Sequence, residues 1–233
     1  MANEILIFDT SAVAIDRNQI LRDIGYPSAA RASKEVLDRF PIIANEVALH
    51  SRPQAITREI DRFAIKDDSV ILEDGATFHG PLLCKALSQS AGLMLFALTL
   101  GPDISKWISE QIVSDPLAGV MADACASELV EAIADHLEDG INTVVRPKGL
   151  VASGRYSPGY CDWPINELPL VIEMVEASKI GITLSSGGMM IPRKSICGLV
   201  ATGPESAALR TVPCESCARD CPYRRGGRKG AGS

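Results

Sequence analysis

Hydrophobic and polar positions follow two different periods along the chain, and each period predicts a different kind of element. Residues 55–78 alternate apolar and polar side chains and are interrupted at Asp67 and at Asp74, which predicts antiparallel strands joined by turns. Residues 92–99 are apolar without alternation, which indicates a central strand that is buried on both faces. Further short strands are predicted at 4–8, 182–184 and 195–202.

A spacing of four between apolar residues predicts the longest helix at 117–143, and its apolar stripe indicates the core helix of the fold. Other helices are predicted at 16–22, 33–49, 81–88, 103–113 and 166–179. Pro41 is expected to kink or split one of them, and Pro169 to interrupt another. Helices combined with antiparallel strands predict an α+β fold, in which a mixed or antiparallel sheet is covered by helices.

Composition and charge exclude several classes of protein. The chain has 233 residues, of which 46% are hydrophobic and 22% charged, as in ordinary globular proteins. The longest apolar run, at 91–100, is too short to cross a bilayer, and the amino terminus lacks a signal-peptide pattern. A net charge of -6 argues against a nucleic-acid surface. We therefore expect a cytoplasmic protein with neither a membrane nor a nucleic-acid partner.

The segment 154–161 has the composition of a binding loop. Pro158 fixes its own φ and disfavours helix at Ser157, while Gly154 and Gly159 permit backbone that other residues rarely adopt. Arg155 offers a planar fork of donors for a carboxylate. The simpler interpretation is a surface turn, since proline and glycine accumulate in turns.

Three motifs in this half of the chain resemble the activation domain of cobalamin-dependent methionine synthase. Residues 155–160 read Arg-Tyr-Ser-Pro-Gly-Tyr, like the family's Arg-x-x-x-Gly-Tyr loop. Residues 181–184 match its Gly-x-x-Leu segment, and residues 192–198 match its Pro-x-x-Ser-x-x-Gly strand. The clear resemblance covers 154–202, and a weaker one reaches back to 91. One departure is that the family has a tyrosine shortly after the strand glycine, where this chain has Leu199 and Val200.

The resemblance implies a curved, helmet-like fold that binds S-adenosylmethionine. It implies that Glu131 holds the ligand's amino group, that Arg155 holds its carboxylate, and that Tyr160 lies near cobalamin. The loop residues that it adds to this cofactor site are Ser157, Pro158 and Gly159. The simpler interpretation of Glu131 is that it lies on the solvated acidic face of the long helix, with five other carboxylates.

The carboxyl-terminal tail carries a separate signal in Cys214, Cys217 and Cys221, which is followed by proline. Three thiols so close together in a segment with little apolar content predict a metal site. The Cys-x-x-x-Cys-Pro ending favours a [4Fe-4S] cluster over zinc, and a metal-free tail is the remaining alternative. The fourth ligand is Cys161, Cys197 or no cysteine. We interpret Cys84 and Cys125 as packed thiols.

Three portions are predicted: an α+β portion at 1–90 packed on the main domain, an activation-domain-like core at 91–205, and a cysteine-rich tail at 206–233. The three histidines suggest neither a metal site nor a catalytic relay, and no catalytic residue is assigned. The family's cobalamin-binding signature, Asp-x-His-x-x-Gly, is absent. The resemblance therefore implies a stand-alone protein that reactivates a corrinoid-dependent methyltransferase, with cobalamin supplied by that partner. The alternative is a metal- or iron–sulfur-binding interaction or electron-transfer protein on the same scaffold, without adenosylmethionine chemistry.

Overall fold

The computed structural model describes residues 3–205, which form an antiparallel sheet with helices on both faces. The five strands of this sheet lie in the order β1-β2-β6-β10-β7, and every neighbouring pair is antiparallel. Their bounds are β1 Glu4–Ile7, β2 Gln54–Ile60, β6 Gly92–Thr99, β7 Leu150–Tyr156 and β10 Ser195–Pro204. The predicted α+β class is confirmed.

The other strands of the described residues form two smaller antiparallel sheets. A three-stranded sheet contains β3 Phe63–Lys66, β4 Ser69–Leu72 and β5 Thr77–His79. A two-stranded one contains β8 Thr183–Leu184 and β9 Met190–Ile191. The alternating pattern of residues 55–78 thus forms antiparallel strands as predicted, with β2 in the large sheet and β3–β5 in a meander of their own.

Strand β6 is the central strand that its continuous apolar sequence predicted. It pairs with β10 along its whole length on one side and with β2 from Leu93 to Thr99 on the other. Leu95 and Ala97 pack into the core on one face of the sheet, whereas Phe96 and Leu98 pack into the core on the other. Both faces are covered, so no position of the strand can be polar without a buried partner.

Six α-helices occur in the described residues. Their bounds are α1 Arg17–Asp23, α2 Lys34–His50, α3 Pro81–Leu87, α4 Pro102–Ser114, α5 Pro116–Val145 and α6 Leu168–Met174. Helix α5 has 30 residues and begins where the Asp115 side chain accepts a hydrogen bond from the Ala118 amide. Its predicted role as the core helix is confirmed, because its apolar stripe fills the core between the sheet and α1, α2 and α4.

The structure bears on two proline predictions. Pro41 was expected to kink or split its helix, and it does not split α2, which runs as one helix because packing of Val36, Ile43 and Val47 in the core compensates for the missing amide hydrogen. Pro169 does not interrupt a helix either, since it lies in the first turn of α6, where the missing amide hydrogen costs the helix no hydrogen bond. The predicted helix 166–179 instead ends at Met174, just before Glu176 adopts a left-handed φ of 55°.

The large sheet separates two cores. Helices α1, α2, α4 and α5 cover one face, and the β3–β5 meander with α3 and α6 covers the other. Cys125 lies in the first core and Cys84 in the second, and both are buried as predicted. Strands β1 and β2, from the predicted portion 1–90, belong to the same sheet as β6, β7 and β10. In the part of the chain that the structure describes, no helix is long and apolar enough to cross a membrane.

Candidate functional site

Arg155 lies near the end of β7, an edge strand of the large sheet, where it pairs with Val200 of β10. The segment 154–156 is therefore strand, and the prediction that the loop begins at Gly154 is wrong. The physical reason is that β10 extends past β7 and supplies pairing partners up to Tyr156. The loop proper begins at Ser157, so Arg155 is held by a rigid element.

The guanidinium of Arg155 contacts three carboxylates of α5. Its Nη2 lies 3.1 Å from Oε2 of Glu131, and its Nη1 lies 2.7 Å from Oδ1 of Asp135 and 2.5 Å from Oε1 of Glu138. The Arg155 side chain is only 13% exposed. Arg155 and Glu131, which the family resemblance placed at one ligand, are thus neighbours, and Glu131 does not belong to a purely solvated face.

Helical periodicity explains why these carboxylates meet at one point. Glu131, Asp135 and Glu138 follow one another at spacings of four and three residues, so they lie on one face of α5. The sequence contained this signal, although the family resemblance drew attention to Glu131 alone. Strand β7 packs against this helix and brings Arg155 to the face that carries all three.

The cluster has more negative than positive charge. Burial raises the pKa of Glu138 to about 7, although the adjacent Arg155 charge acts in the opposite direction. For Arg155, burial lowers the pKa, but the nearby carboxylates, Glu138 foremost, outweigh it and hold the pKa above its ordinary value. Arg155 therefore stays charged, whereas Glu138 exchanges a proton near neutral pH.

A second basic side chain meets the same acidic face of α5 closer to its amino terminus. Lys194, which is 11% exposed, places its Nζ 2.8 Å from Oδ1 of Asp123 and donates a 2.8 Å hydrogen bond to Oγ of Ser127. Lys194 belongs to the segment just before β10, within the Pro-x-x-Ser-x-x-Gly motif. No sequence pattern indicated its partners, which lie 67 to 71 residues away.

The loop after β7 is closed by its own backbone. The Gly159 amide donates to the Trp163 carbonyl at 2.8 Å, and the Trp163 amide donates to the Tyr160 carbonyl at 3.1 Å. Gly159 has a φ of +92°, which a residue with a side chain adopts only at a cost. Pro158 is buried and Ser157 partly so, while Tyr160 is 49% exposed. This exposure leaves Tyr160 accessible, and its place near cobalamin stays a prediction.

Gly198 of β10 packs directly beneath the start of the loop. A Cβ atom there would lie 2.1 Å from the Tyr156 carbonyl oxygen and 2.8 Å from Ser157 Oγ. Only glycine allows this approach. The next two residues, Leu199 and Val200, are fully buried on opposite faces of the sheet, so neither side chain reaches the surface of the site.

The motif serine, Ser195, has a structural position. Its hydroxyl donates a hydrogen bond either to Thr99 Oγ1, at 2.8 Å, or to the Pro192 carbonyl, at 2.7 Å. It therefore links the end of β6 to the start of β10. We assign it no contact with a ligand.

The predicted metal ligands fall largely outside the described residues. Cys214, Cys217 and Cys221 all lie beyond residue 205. Cys161 is partly buried in the loop and adopts a left-handed φ of 52°, while Cys197 is buried in the core. Within residues 3–205, no group of three His, Cys, Asp or Glu side chains is arranged to hold a metal ion.

Comparison with known proteins agrees with these observations. A family model described as "Vitamin B12 dependent methionine synthase, activation domain" matches residues 85–216. No curated protein matches the chain. A solved structure described as the MetH reactivation domain bound to AdoHcy aligns with a TM-score of 0.66 at 16% sequence identity, over 88% of this chain and 80% of that chain. At this identity the likeness shows a common fold. Because the family model matches more than half of the sequence, this chain belongs to the family of vitamin B12-dependent methionine synthase activation domains.

Proposed function

We propose that this protein is a stand-alone reductive-activation protein for a corrinoid-dependent methyltransferase. It binds S-adenosylmethionine beside Arg155 and docks cobalamin that a partner supplies. The observation that carries the proposal is the contact between Arg155 and Glu131 at the start of the Arg-x-x-x-Gly-Tyr loop, in a chain of this family. The amino-acid end of adenosylmethionine carries a carboxylate and an ammonium, and these two side chains have the complementary charges.

The charge balance of the cluster suits this ligand. One guanidinium faces three carboxylates, so the site has a negative excess when all are ionised. Adenosylmethionine has a sulfonium and an ammonium against one carboxylate, which makes it a net cation. We infer that its carboxylate takes the place of Asp135 or Glu138 on Arg155, while Glu131 accepts hydrogen bonds from the ammonium. Asp135 is the more exposed of the two exchangeable partners.

The protein's own contribution to the reaction is placement. Bound adenosylmethionine would supply a methyl group from its sulfonium to cobalt(I) of the partner's cobalamin, with S-adenosylhomocysteine as the leaving group. This transfer would make the preceding one-electron reduction of cobalt(II) by an external electron donor effectively irreversible. Arg155 and Glu131 orient the ligand from a rigid strand and a long helix. Ser157, Pro158 and Gly159 shape the loop that presents Tyr160 to the partner. This is a proximity effect rather than acid–base catalysis.

Calorimetric titration with S-adenosylmethionine tests the proposal. We expect micromolar affinity for the wild type and no detectable binding for Arg155→Ala. Glu131→Gln should weaken binding by about 1–3 kcal/mol, because a charged hydrogen-bond partner is lost. Glu110→Gln, an exposed carboxylate on α4, is the matched control. If the wild type binds no adenosylmethionine, the proposal fails, and an unchanged affinity of Glu131→Gln would remove Glu131 from the site.

A second property, metal binding by the tail, is proposed from the sequence of Cys214, Cys217 and Cys221. We infer that these thiolates hold a [4Fe-4S] cluster, with zinc as the alternative, and that Cys161 is the fourth ligand. Cys161 follows Tyr160 directly, so a cluster held there would lie beside the surface around Tyr160 on which we propose that the partner's cobalamin docks. If the wild type binds metal but not adenosylmethionine, the metal-binding interaction or electron-transfer function becomes the better description.

Anaerobic purification with metal analysis decides between these metals. A cluster should make the protein brown, with broad absorption near about 400 nm and similar amounts of iron and sulfide, whereas zinc leaves it colourless. Cys217→Ser should abolish the colour and leave adenosylmethionine binding intact. Cys161→Ser tests the fourth ligand in the same way. Protein that contains neither iron nor zinc contradicts the metal proposal.

A further inference from the structure

The carboxylate of Glu167, just after the Tyr160 loop, has three hydrogen-bonding partners. Its Oε2 accepts a 2.8 Å hydrogen bond from the indole N–H of Trp163 and a 3.1 Å bond from the backbone amide of His79. Its Oε1 lies 2.5 Å from Nδ1 of the His79 ring. Glu167 therefore joins the last part of the loop to the end of β5.

Asp162 makes a second connection between the same two segments. Its Oδ2 accepts a hydrogen bond of 2.5 Å from the backbone amide of Leu82, at the start of α3. A Cβ atom on Gly80 would lie 3.0 Å from Asp162 Oδ1, and the φ of Gly80 is +149°. The carboxylates on either side of Trp163 thus both reach the junction of β5 and α3, at residues 79–82.

Trp163 contacts both β5 and the Tyr160 loop, so it joins the two. Its side chain is buried and packs against Phe78 of β5, with ring centroids 5.1 Å apart. Its backbone carbonyl accepts from Gly159 and its backbone amide donates to the Tyr160 carbonyl. Any displacement of Trp163 therefore displaces the backbone on either side of the Tyr160 ring.

The Glu167 carboxylate is largely buried and therefore needs its hydrogen bonds. The side chain is only 12% exposed, and a carboxylate removed from water is costly unless hydrogen bonds replace its hydration. Glu167 precedes α6, but its side chain caps no amide of that helix. Its described hydrogen bonds all go to Trp163 and His79, so its charge is used to hold the loop.

We propose that Glu167 is a positioning residue of the site, which fixes the Tyr160 loop through Trp163 and His79. The inference rests on the proposed function in one respect, namely that this loop meets the ligand and the partner's cobalamin. It adds that the β3–β5 meander, which contributes none of the proposed binding residues, determines where Tyr160 is held. No sequence motif had pointed to a role for Glu167, Asp162 or His79.

Amide hydrogen exchange in the ligand-free protein tests the positioning directly. In Glu167→Ala we expect the amides of Gly159 and Trp163 to exchange at least about tenfold faster, while those of β6 and α5 keep their protection. Glu167→Gln can still accept a hydrogen bond from the Trp163 indole, so it should keep part of the protection of the Gly159 and Trp163 amides. Glu173→Ala changes an exposed carboxylate on α6 and is the control.

His79→Ala is the second variant, because His79 is largely exposed and its loss leaves the Trp163–Glu167 hydrogen bond in place. It should raise loop exchange in the same direction as Glu167→Ala but by less. Unchanged loop exchange in both variants overturns the proposal. A rise spread evenly over β6 and α5 overturns it as well, since Glu167 would then support overall stability rather than loop position.

Adenosylmethionine titration of the same variants separates this inference from the proposed function. We expect at least about tenfold weaker binding in Glu167→Ala and partial rescue in Glu167→Gln, as for a displaced loop. Suppose that in Glu167→Ala amide exchange becomes faster in the loop alone, while the affinity for adenosylmethionine stays that of the wild type. The position of the loop then does not affect ligand binding, and that part of the inference is wrong. If the wild type itself binds no adenosylmethionine, the proposed function fails, while the exchange result still decides the role of Glu167 in holding the loop.

Discussion

The Tyr160 loop is held at its two ends by carboxylate networks with opposite balance. At the start, one guanidinium, that of Arg155, contacts three carboxylates of α5. At the end, one carboxylate, that of Glu167, is matched by donors from Trp163 and His79. The first network has three carboxylates for one cation, so it has acceptors to spare. In the second network, three bonds from two residues meet the single carboxylate of Glu167.

Because of this difference, the Arg155 network can exchange one carboxylate for another, whereas the Glu167 network holds a fixed geometry. A ligand carboxylate can replace Asp135 or Glu138 on Arg155 without leaving the guanidinium unpaired. Displacing Glu167 would leave a buried indole N–H and a buried carboxylate without partners, which is costly. We therefore expect ligand exchange at the first network and positional control at the second.

The largest effect is expected from Gly198→Ala, which breaks the first network by moving its strand. The added methyl group would lie 2.1 Å from the Tyr156 carbonyl, so β7 and β10 must separate where Arg155 is held. We expect a loss of about 3 kcal/mol in the free energy of unfolding, measured with urea.

Gly140→Ala is the matched control for that substitution. Gly140 lies within α5, and a Cβ atom added there would meet no atom within 4 Å apart from its chain neighbours and the backbone of its own helix turn, so alanine should be neutral or slightly stabilising. A Gly198→Ala variant as stable as Gly140→Ala would contradict the tight approach of the two strands.

An intermediate effect is expected from Glu138→Gln, which reduces the negative excess of the first network. The pKa of Glu138 is raised from 4.5 to about 7 by burial, so between these values the folded protein holds a proton that the unfolded chain releases. The stabilising contribution of Glu138 is therefore complete below pH 4.5 and is lost as the pH rises through 7.

Because glutamine does not titrate, Glu138→Gln should lack this decline. Urea unfolding at about pH 5 and about pH 8 should show that the wild type loses about 2 kcal/mol more than the variant over this interval. The same substitution at Glu110, exposed on α4, serves as the control. Equal pH dependence in wild type and Glu138→Gln would show that Glu138 ionises normally.

The smallest effect on stability is expected from Tyr160→Ala, which tests what both networks hold in place. Tyr160 is 49% exposed, so its truncation should change the free energy of unfolding by no more than about 0.5 kcal/mol. Reactivation of a partner corrinoid protein should nevertheless become slower. A large stability loss would mark Tyr160 as a packing residue, and unchanged reactivation would remove it from the docking surface.

Much of this structure could be predicted from local sequence, because local sterics and burial periodicity determine single elements. The unbroken apolar run of β6, the spacing of four in α5 and the Pro158–Gly159 loop all follow from neighbouring residues. The error at residues 154–156 arose because β10 extends β7 beyond the point where glycine would be expected to end a strand.

By itself, the sequence determined the α+β class, the core helix and the Arg155 loop motif. The family resemblance added Glu131, and its contact with the ligand stays a prediction. Only the tertiary structure decided which acidic residues meet Arg155, that Lys194 meets Asp123, and that Glu167 meets His79 and Trp163. The physical reason is distance along the chain: Arg155 and Asp135 are 20 residues apart, and His79 and Glu167 are 88. Such contacts depend on strand register and on packing between layers, whereas periodicity and turn composition report only on near neighbours.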